Sequence, residues 1–252
     1  MLHKSLFFTL RSAPCSLLLL LHNTVLICPM SSRASILFYY DIVSPYSYLG
    51  VKLLNRYRSQ WKDVDIEYRP FFLGGVMNGA NNQPPATVPA KGSYMFQDLV
   101  RISAAAGIPF RFPSQFPLLT IQPMRLLIVL QKHAADKYEQ CIEKLYEEYW
   151  YNDKNITEKD VLAAALAPII GSAEKFEEYY GMTAQKEVKQ QLIDNTDEAV
   201  TAGAFGAPTM VVKKAGSDKG HLIFGSDRFE MIALMLGQPY PGVPAQTPQP
   251  KL

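Results

Sequence analysis

The chain has 252 residues, 48% of them hydrophobic and 19% charged, which suits one large or two small folded units with a sizeable core. The formal charge is only +2, and beyond residue 33 the balance is 22 basic to 23 acidic, so no basic face for nucleic acid is implied. Cys141 is the one cysteine outside the first 33 residues, which excludes a disulfide framework or a zinc site; His3, His22, His133 and His221 show no ligand spacing, and no metal is expected.

Residues 1–33 carry Lys4, Arg11 and Arg33, many Leu and Ser, and no acid. The run Leu17 to Leu21 resembles a short signal h-region, and an acid-free basic stretch also suits a mitochondrial presequence. A start at Met30 is a third reading, and 1–33 is taken as a targeting or dispensable leader. The apolar run is broken at His22-Asn23 and is too short for a membrane span.

The first strand is predicted at 35–40, Ser35 to Tyr40, followed by Ser44-Pro45-Tyr46-Ser47 and a helix over 46–59. Pro45 suits the first helical turn, where its missing N–H costs nothing. Alternation of Val64, Ile66 and Tyr68 with Asp65 and Glu67 predicts a strand at 64–69. Glycines, asparagines and prolines over 74–93 predict a long loop.

From 93 to 203 the signals are helical. Leu126, Leu130, Ala134, Tyr138, Cys141, Leu145 and Tyr149 form one apolar stripe, which reads as core, and Val188, Leu192, Ala199 and Gly203 form another face. Thr157 with Asp160 reads as a capping box. Strands follow at 209–212 and 221–224, then a helix from Arg228 to Leu236 opened by Ser226-Asp227. The chain ends in a Pro-rich stretch and Pro250-Lys251-Leu252, which departs from a peroxisomal Ser-Lys-Leu at its first position.

The turn at 44–47 carries the chemistry. A redox protein of the thioredoxin type has Cys-x-x-Cys at such a strand–turn–helix junction. Here both ends are serine, so disulfide exchange at this turn is excluded. What remains is a hydroxyl at a helix N-terminus, where N–H groups and the dipole favour an anion such as a ligand thiolate. By itself Ser44 is also an ordinary N-cap.

Gly206-Ala207-Pro208-Thr209 is a candidate cis bond before a strand, whose Ala207 backbone could pair with an extended peptide ligand. Ser226 and Asp227 at a helix start could accept an α-amino acid head group. Asn82 and Lys91 sit on a proline-braced loop where Lys91 could meet a carboxylate. Each of these has a bland reading as a turn, a cap or a solvated lysine.

Taken in order, Phe38 to Ser47, Asn82 to Tyr94, Met124-Arg125, Gly203 to Thr209 and Phe224 to Arg228 resemble the kappa-class glutathione transferases. The resemblance runs from about Ile36 to Pro244. It implies an α/β fold: a thioredoxin-like domain interrupted by a large all-helical insertion. The expected limits are 34–88 and 196–242 for the two thioredoxin-like parts, 89–195 for the insertion, and 243–252 for a Pro-rich tail. Ala207 stands where vertebrate members carry Leu, and Tyr48 replaces a Trp.

By the same resemblance Ser44 is catalytic, its hydroxyl holding the thiolate of glutathione, the co-substrate. Ser44, Pro45, Tyr46, Asn82, Lys91, Ala207, Pro208, Ser226 and Asp227 would bind glutathione, with Ala207 on its cysteinyl backbone and Ser226 and Asp227 on its γ-glutamyl end. The thiolate would attack small electrophiles, hydroperoxides included. A homodimer is implied, while the leader and the terminal Pro250-Lys251-Leu252 point to a mitochondrial or peroxisomal location. A glutathione-dependent isomerase of the 2-hydroxychromene-2-carboxylate type resembles the same pattern, and a non-catalytic thioredoxin-like binding or chaperone module is a third reading.

Overall fold

A computed structural model describes residues 33–242. Residues 1–32 of the leader, with Cys15 and Cys28, and the tail with Pro250-Lys251-Leu252 lie outside them. The elements run β1 (Ala34–Tyr40), α1 (Pro45–Arg58), β2 (Val64–Pro70), α2 (Leu73–Gly79), a 3-10 turn (Pro85–Thr87), α3 (Pro89–Ala106), α4 (Ile121–His133), α5 (Tyr138–Trp150), α6 (Lys159–Ile170), α7 (Ala173–Met182), α8 (Lys186–Thr201), β3 (Thr209–Lys213), β4 (Gly220–Phe224) and α9 (Phe229–Leu236).

The strands form one sheet in the order β2-β1-β3-β4. β1 is parallel to β2, with Phe38 beside Tyr68. It is antiparallel to β3, with Phe38 beside Met210, and β4 pairs antiparallel with β3 at the edge. Helices α2 to α8 all lie between β2 and β3 in sequence, which is the expected α/β fold with a helical insertion.

Alternation along β1 divides the core between the two faces of the sheet. Ile36, Phe38 and Tyr40 join the main cluster with α1, α4, α5, α6 and α9, while Tyr39 joins a smaller one with Phe71, Val76, Ala199, Ala204 and Ala207. α5 carries the heaviest inward face, with Tyr138, Cys141, Ile142, Leu145, Tyr146, Tyr149 and Trp150 all buried. Burying each such large side chain is worth about 1.5–3 kcal/mol.

Several expectations are corrected. The segment 74–93 is not one loop, because α2 occupies its start and α3 begins at Pro89. The α2 glycines serve close packing: a Cβ on Gly75 would sit 2.9 Å from Thr196 Cγ2, and one on Gly79 would sit 3.1 Å from Val200 Cγ2, both on α8. The first N–H groups of α2 are satisfied from distant residues, Phe72 N by Thr196 Oγ1 and Leu73 N by Asp41 Oδ2. None of these partners is local in sequence.

The stripe from Leu126 to Tyr149 spans two helices. Ala134 leaves helical geometry at φ −143° and ψ 49°, and the exposed residues 135–137 form the connection. His133 ends α4 on the surface, its ring 5.9 Å from that of Tyr179. Thr157 does not cap α6: its hydroxyl donates to Asn155 Oδ1 at 2.6 Å, and Glu158 takes the N-cap place. Gly203 lies past the end of α8, in left-handed geometry at φ +98°. Arg228, and neither Ser226 nor Asp227, is the N-cap of α9.

Candidate functional site

The site is built where the turn from β1 into α1 meets the turn into β3. Ser44 is the N-cap of α1: its backbone is extended and its Oγ accepts from Ser47 N at 3.1 Å. Pro45 occupies the first helical position. The first turn of α1 holds no acid and the last turn holds Arg56 and Arg58, so side-chain charge complements the helix dipole. An anion at the α1 N-terminus therefore meets no local carboxylate from the helix itself.

The Ala207–Pro208 bond is cis, as the sequence suggested. It places the Ala207 carbonyl against the turn into α1, where Ser44 Oγ donates to it at 3.3 Å. That length marks a weak bond, so the hydroxyl proton can turn to a stronger acceptor. Among the described residues the Ala207 carbonyl accepts only this weak bond, and no hydrogen bond takes up its N–H.

Gly50 lets α1 come this close. A Cβ there would stand 3.0 Å from Phe38 Cζ and 3.2 Å from Pro208 Cγ. Pro208 O accepts from Gly225 N at 3.0 Å, which brings the 225–227 turn to the site. Gly225 is in left-handed backbone at φ +100°, and a Cβ there would meet Asp227 Oδ1 at 2.8 Å, so this turn needs glycine. Ser226 is buried, while Asp227 is exposed and paired with the Arg228 guanidinium.

Tyr46 is half-buried and its hydroxyl donates to Asp98 Oδ2 on α3 at 2.9 Å. Burial first, and then Asp98, push the phenol well above the ordinary tyrosine range, so it remains a donor at neutral pH. Tyr46, Pro85, Ala90, Lys91, Tyr94 and Met95 line a surface pocket of about 370 Å³. Lys91 therefore sits in the first turn of α3 and not on the loop, and no described residue pairs with its ammonium. A larger groove of about 570 Å³ lies at the opposite end of β1, beside Lys62 and Lys214, and touches none of these residues.

Asn82 is exposed and already occupied. Its Nδ2 donates to Phe205 O at 2.7 Å and its Oδ1 accepts from Gln83 N at 2.8 Å. It fastens the 80–88 loop to the segment that leads into the cis-proline. The structure thus gathers Ser44, Pro45, Ala207, Pro208 and Ser226 at one centre, with Asn82, Tyr46, Lys91 and Asp227 around it.

Cys141 takes no part. It is fully buried on α5, and burial pushes its thiol up to about 12. Among the described residues no His, Cys, Asp or Glu cluster could hold a metal, and no helix is long and apolar enough to cross a membrane. The sequence reading missed Asp41, Asp98 and Thr120. Asp41 alone left a signal: a single acid closing an apolar strand three residues before Ser44.

A family profile of DSBA-like thioredoxin domains matches residues 35–237. Human glutathione S-transferase kappa 1 is 34% identical over 209 residues, which cover 81% of this chain and 91% of that protein. Glutathione S-transferase kappa 2 of Caenorhabditis elegans is 33% identical over 219 residues, 84% of this chain and 96% of that protein. Among solved structures, a 2-hydroxychromene-2-carboxylate isomerase superposes with a TM-score of 0.67 at 21% identity, covering 81% of this chain and 94% of its own; at that identity the likeness speaks for fold alone.

Proposed function

The chain belongs to the DSBA-like thioredoxin family and, within it, to the kappa-class glutathione transferases, and on that premise we propose that Ser44 activates the glutathione thiolate for attack on small electrophiles. The observation that carries the reading is the Ser44 hydroxyl at the N-terminus of α1, 3.3 Å from the carbonyl of the cis-proline turn. A thiol of the cysteine kind has a pKa of about 8.5. A hydroxyl donor and a helix N-terminus both stabilise its anion, and lowering the pKa by about two units needs roughly 2.7 kcal/mol.

In the bound state the glutathione cysteinyl backbone pairs with the open N–H of Ala207. Ser226 and Asp227 receive the γ-glutamyl end, the Asp227 carboxylate exchanging Arg228 for the ligand ammonium. Lys91 meets a ligand carboxylate, and Asn82 keeps the loop against Phe205. The thiol proton leaves to solvent; the sulfur then adds to an aryl carbon as halide departs. With a hydroperoxide, the sulfur takes one oxygen and releases the alcohol, and a second glutathione gives the disulfide and water.

Serine activation is tested by the pH-dependent thiolate absorbance of bound glutathione. The wild type is expected to titrate well below free glutathione. Ser44→Ala should move the value back up toward that of free glutathione and cut conjugation at neutral pH at least about tenfold. An unchanged titration would remove Ser44 from the mechanism. The second reading is the isomerase, favoured by 27% identity over 199 residues to a 2-hydroxychromene-2-carboxylate isomerase of Sphingobium xenophagum; turnover of chlorodinitrobenzene against that of the chromene acid separates the two. A non-catalytic module would show no glutathione affinity. The same proposal carries a homodimer, read by sedimentation. It also carries delivery to mitochondria through residues 1–33 or to peroxisomes through Pro250-Lys251-Leu252, read by tagging.

A further inference from the structure

Asp41 is fully buried, and the chemistry proposed for the site does not use it. Both carboxylate oxygens are nonetheless engaged. Oδ1 accepts from Thr120 Oγ1 at 2.6 Å and from Val43 N at 3.1 Å, and Oδ2 accepts from Leu73 N at 2.9 Å. These donors come from three places: the catalytic turn itself, the start of α2, and the residue that opens α4. Thr120 is fully buried, and its carbonyl receives Met124 N in the first turn of α4.

The backbone of the same turn is gripped from α5. The Asp41 carbonyl accepts from Ser44 N at 3.0 Å and from Tyr146 Oη at 3.2 Å, and the Ile42 carbonyl accepts from Trp150 Nε1 at 2.8 Å. Trp150 is in turn wedged among Phe110, Phe112, Phe116 and Tyr149. The three residues before Ser44 thus have little freedom of their own. Burial pushes the Asp41 carboxyl up, and its donors oppose that rise. An uncompensated acid would be a costly choice here, so the three donors give the carboxylate its place.

We infer that Asp41 is a positioning residue through which the helical insertion fixes the Ser44 hydroxyl for thiolate stabilisation, with Thr120 and Tyr146 as its side-chain contacts to Asp41. This rests on the serine reading above. An oxygen donor must be placed to a fraction of an ångström to favour a developing or bound anion, so a small shift of the turn changes turnover more than binding. Asn in place of Asp41 keeps the shape but turns an N–H₂ toward at least one of the three donors.

The experiment is a set of double-mutant cycles on the full chain with glutathione and chlorodinitrobenzene, against Ser44→Ala. In the wild-type background Asp41→Asn should lower kcat about tenfold or more, with KM for glutathione within about twofold. Thr120→Val and Tyr146→Phe, which delete one hydroxyl each, should show the same pattern at a few-fold. In the Ser44→Ala background all three should cost almost nothing further in kcat, while still lowering Tm. Equal losses in both backgrounds, or a lowered Tm with kcat intact, overturn the clamp and leave the serine reading standing. Full activity in Ser44→Ala overturns the serine reading and the clamp with it. If Asp41→Asn does not fold, the two hydroxyl deletions decide alone.

Discussion

On the sheet side of the site Ser44, Ala207, Pro208 and Ser226 are buried, and the segment that carries Ser44 is held by bonds from α2, α5 and the residue that opens α4. On the other side every residue from Asn81 to Lys91 is exposed, and the Asn82–Phe205 bond is the main tie to the rest of the site. The first wall resists displacement because moving any part of it breaks several buried hydrogen bonds at once. The second can adapt at low cost, since water replaces what it loses. Chemistry that needs a fixed donor belongs on the first, and recognition of a flexible tripeptide belongs on the second.

The comparison can be broken most forcefully at Gly50. Gly50→Val pushes a branched side chain into Phe38 and Pro208 and should cost about 2 kcal/mol, read as a lower denaturation midpoint. Because Pro208 is one of the two contacts, conjugation should fall in the molecules that remain folded. A variant as stable and active as wild type would mean that the buried wall yields easily.

At Lys91 the contrast should reverse. Lys91→Met should raise the KM for glutathione about tenfold, near 1.4 kcal/mol, with kcat and Tm almost unchanged, because the ammonium is exposed and pairs with no described residue. Added salt should weaken binding in the wild type and much less in the variant. Loss of stability in Lys91→Met would show that this wall is also structural.

The smallest effect concerns the strap of residues 107–120, which delivers Thr120 to Asp41. It is pinned where Ser114 N and Oγ donate to Asp153 Oδ1 at 2.6 and 2.9 Å. The Ser114 donors, with Arg111 nearby, hold the Asp153 carboxyl below the usual range. A lowered folded value means stability present above the unfolded pKa of about 3.9 and lost as pH falls through the folded one. Asp153→Asn should therefore lower Tm by about 2 °C at pH 7, and the gap should close as the pH falls from the unfolded value through the lower folded one. A gap that does not change with pH would remove the carboxylate from the strap.

Much of the buried wall was legible in the sequence. Alternation around Val64 to Tyr68, the apolar run ending at Tyr40, and Ser-Pro opening a helix are local patterns, and local sterics enforce them. Gly-Ala-Pro-Thr before a strand likewise gave the cis bond at Pro208. α2 was not legible. Its glycines read as breakers by propensity, yet Gly75 and Gly79 are small because α8 lies against them, and its caps come from Asp41 and Thr196. The division between α4 and α5 was hidden for the opposite reason. Ala134 and Tyr138 are both buried, so the apolar period runs on through a connection that only the backbone shows. Lys91 was recognisable by resemblance, but its place on the first turn of α3 was not, because Pro89 suits both a loop and a helix start.

The amino-acid sequence alone determined that a serine would stand at the mouth of a helix, that no cysteine would stand at that turn, and that a proline turn would precede the third strand. Each follows from residue types within a few positions of one another. Only the tertiary structure decided that the Ser44 hydroxyl faces the Ala207 carbonyl 163 positions away, and that a buried aspartate joins the Ser44 turn to Thr120, 79 positions on. Hydrogen bonds across such separations form when packing brings their partners together, and no local pattern encodes that.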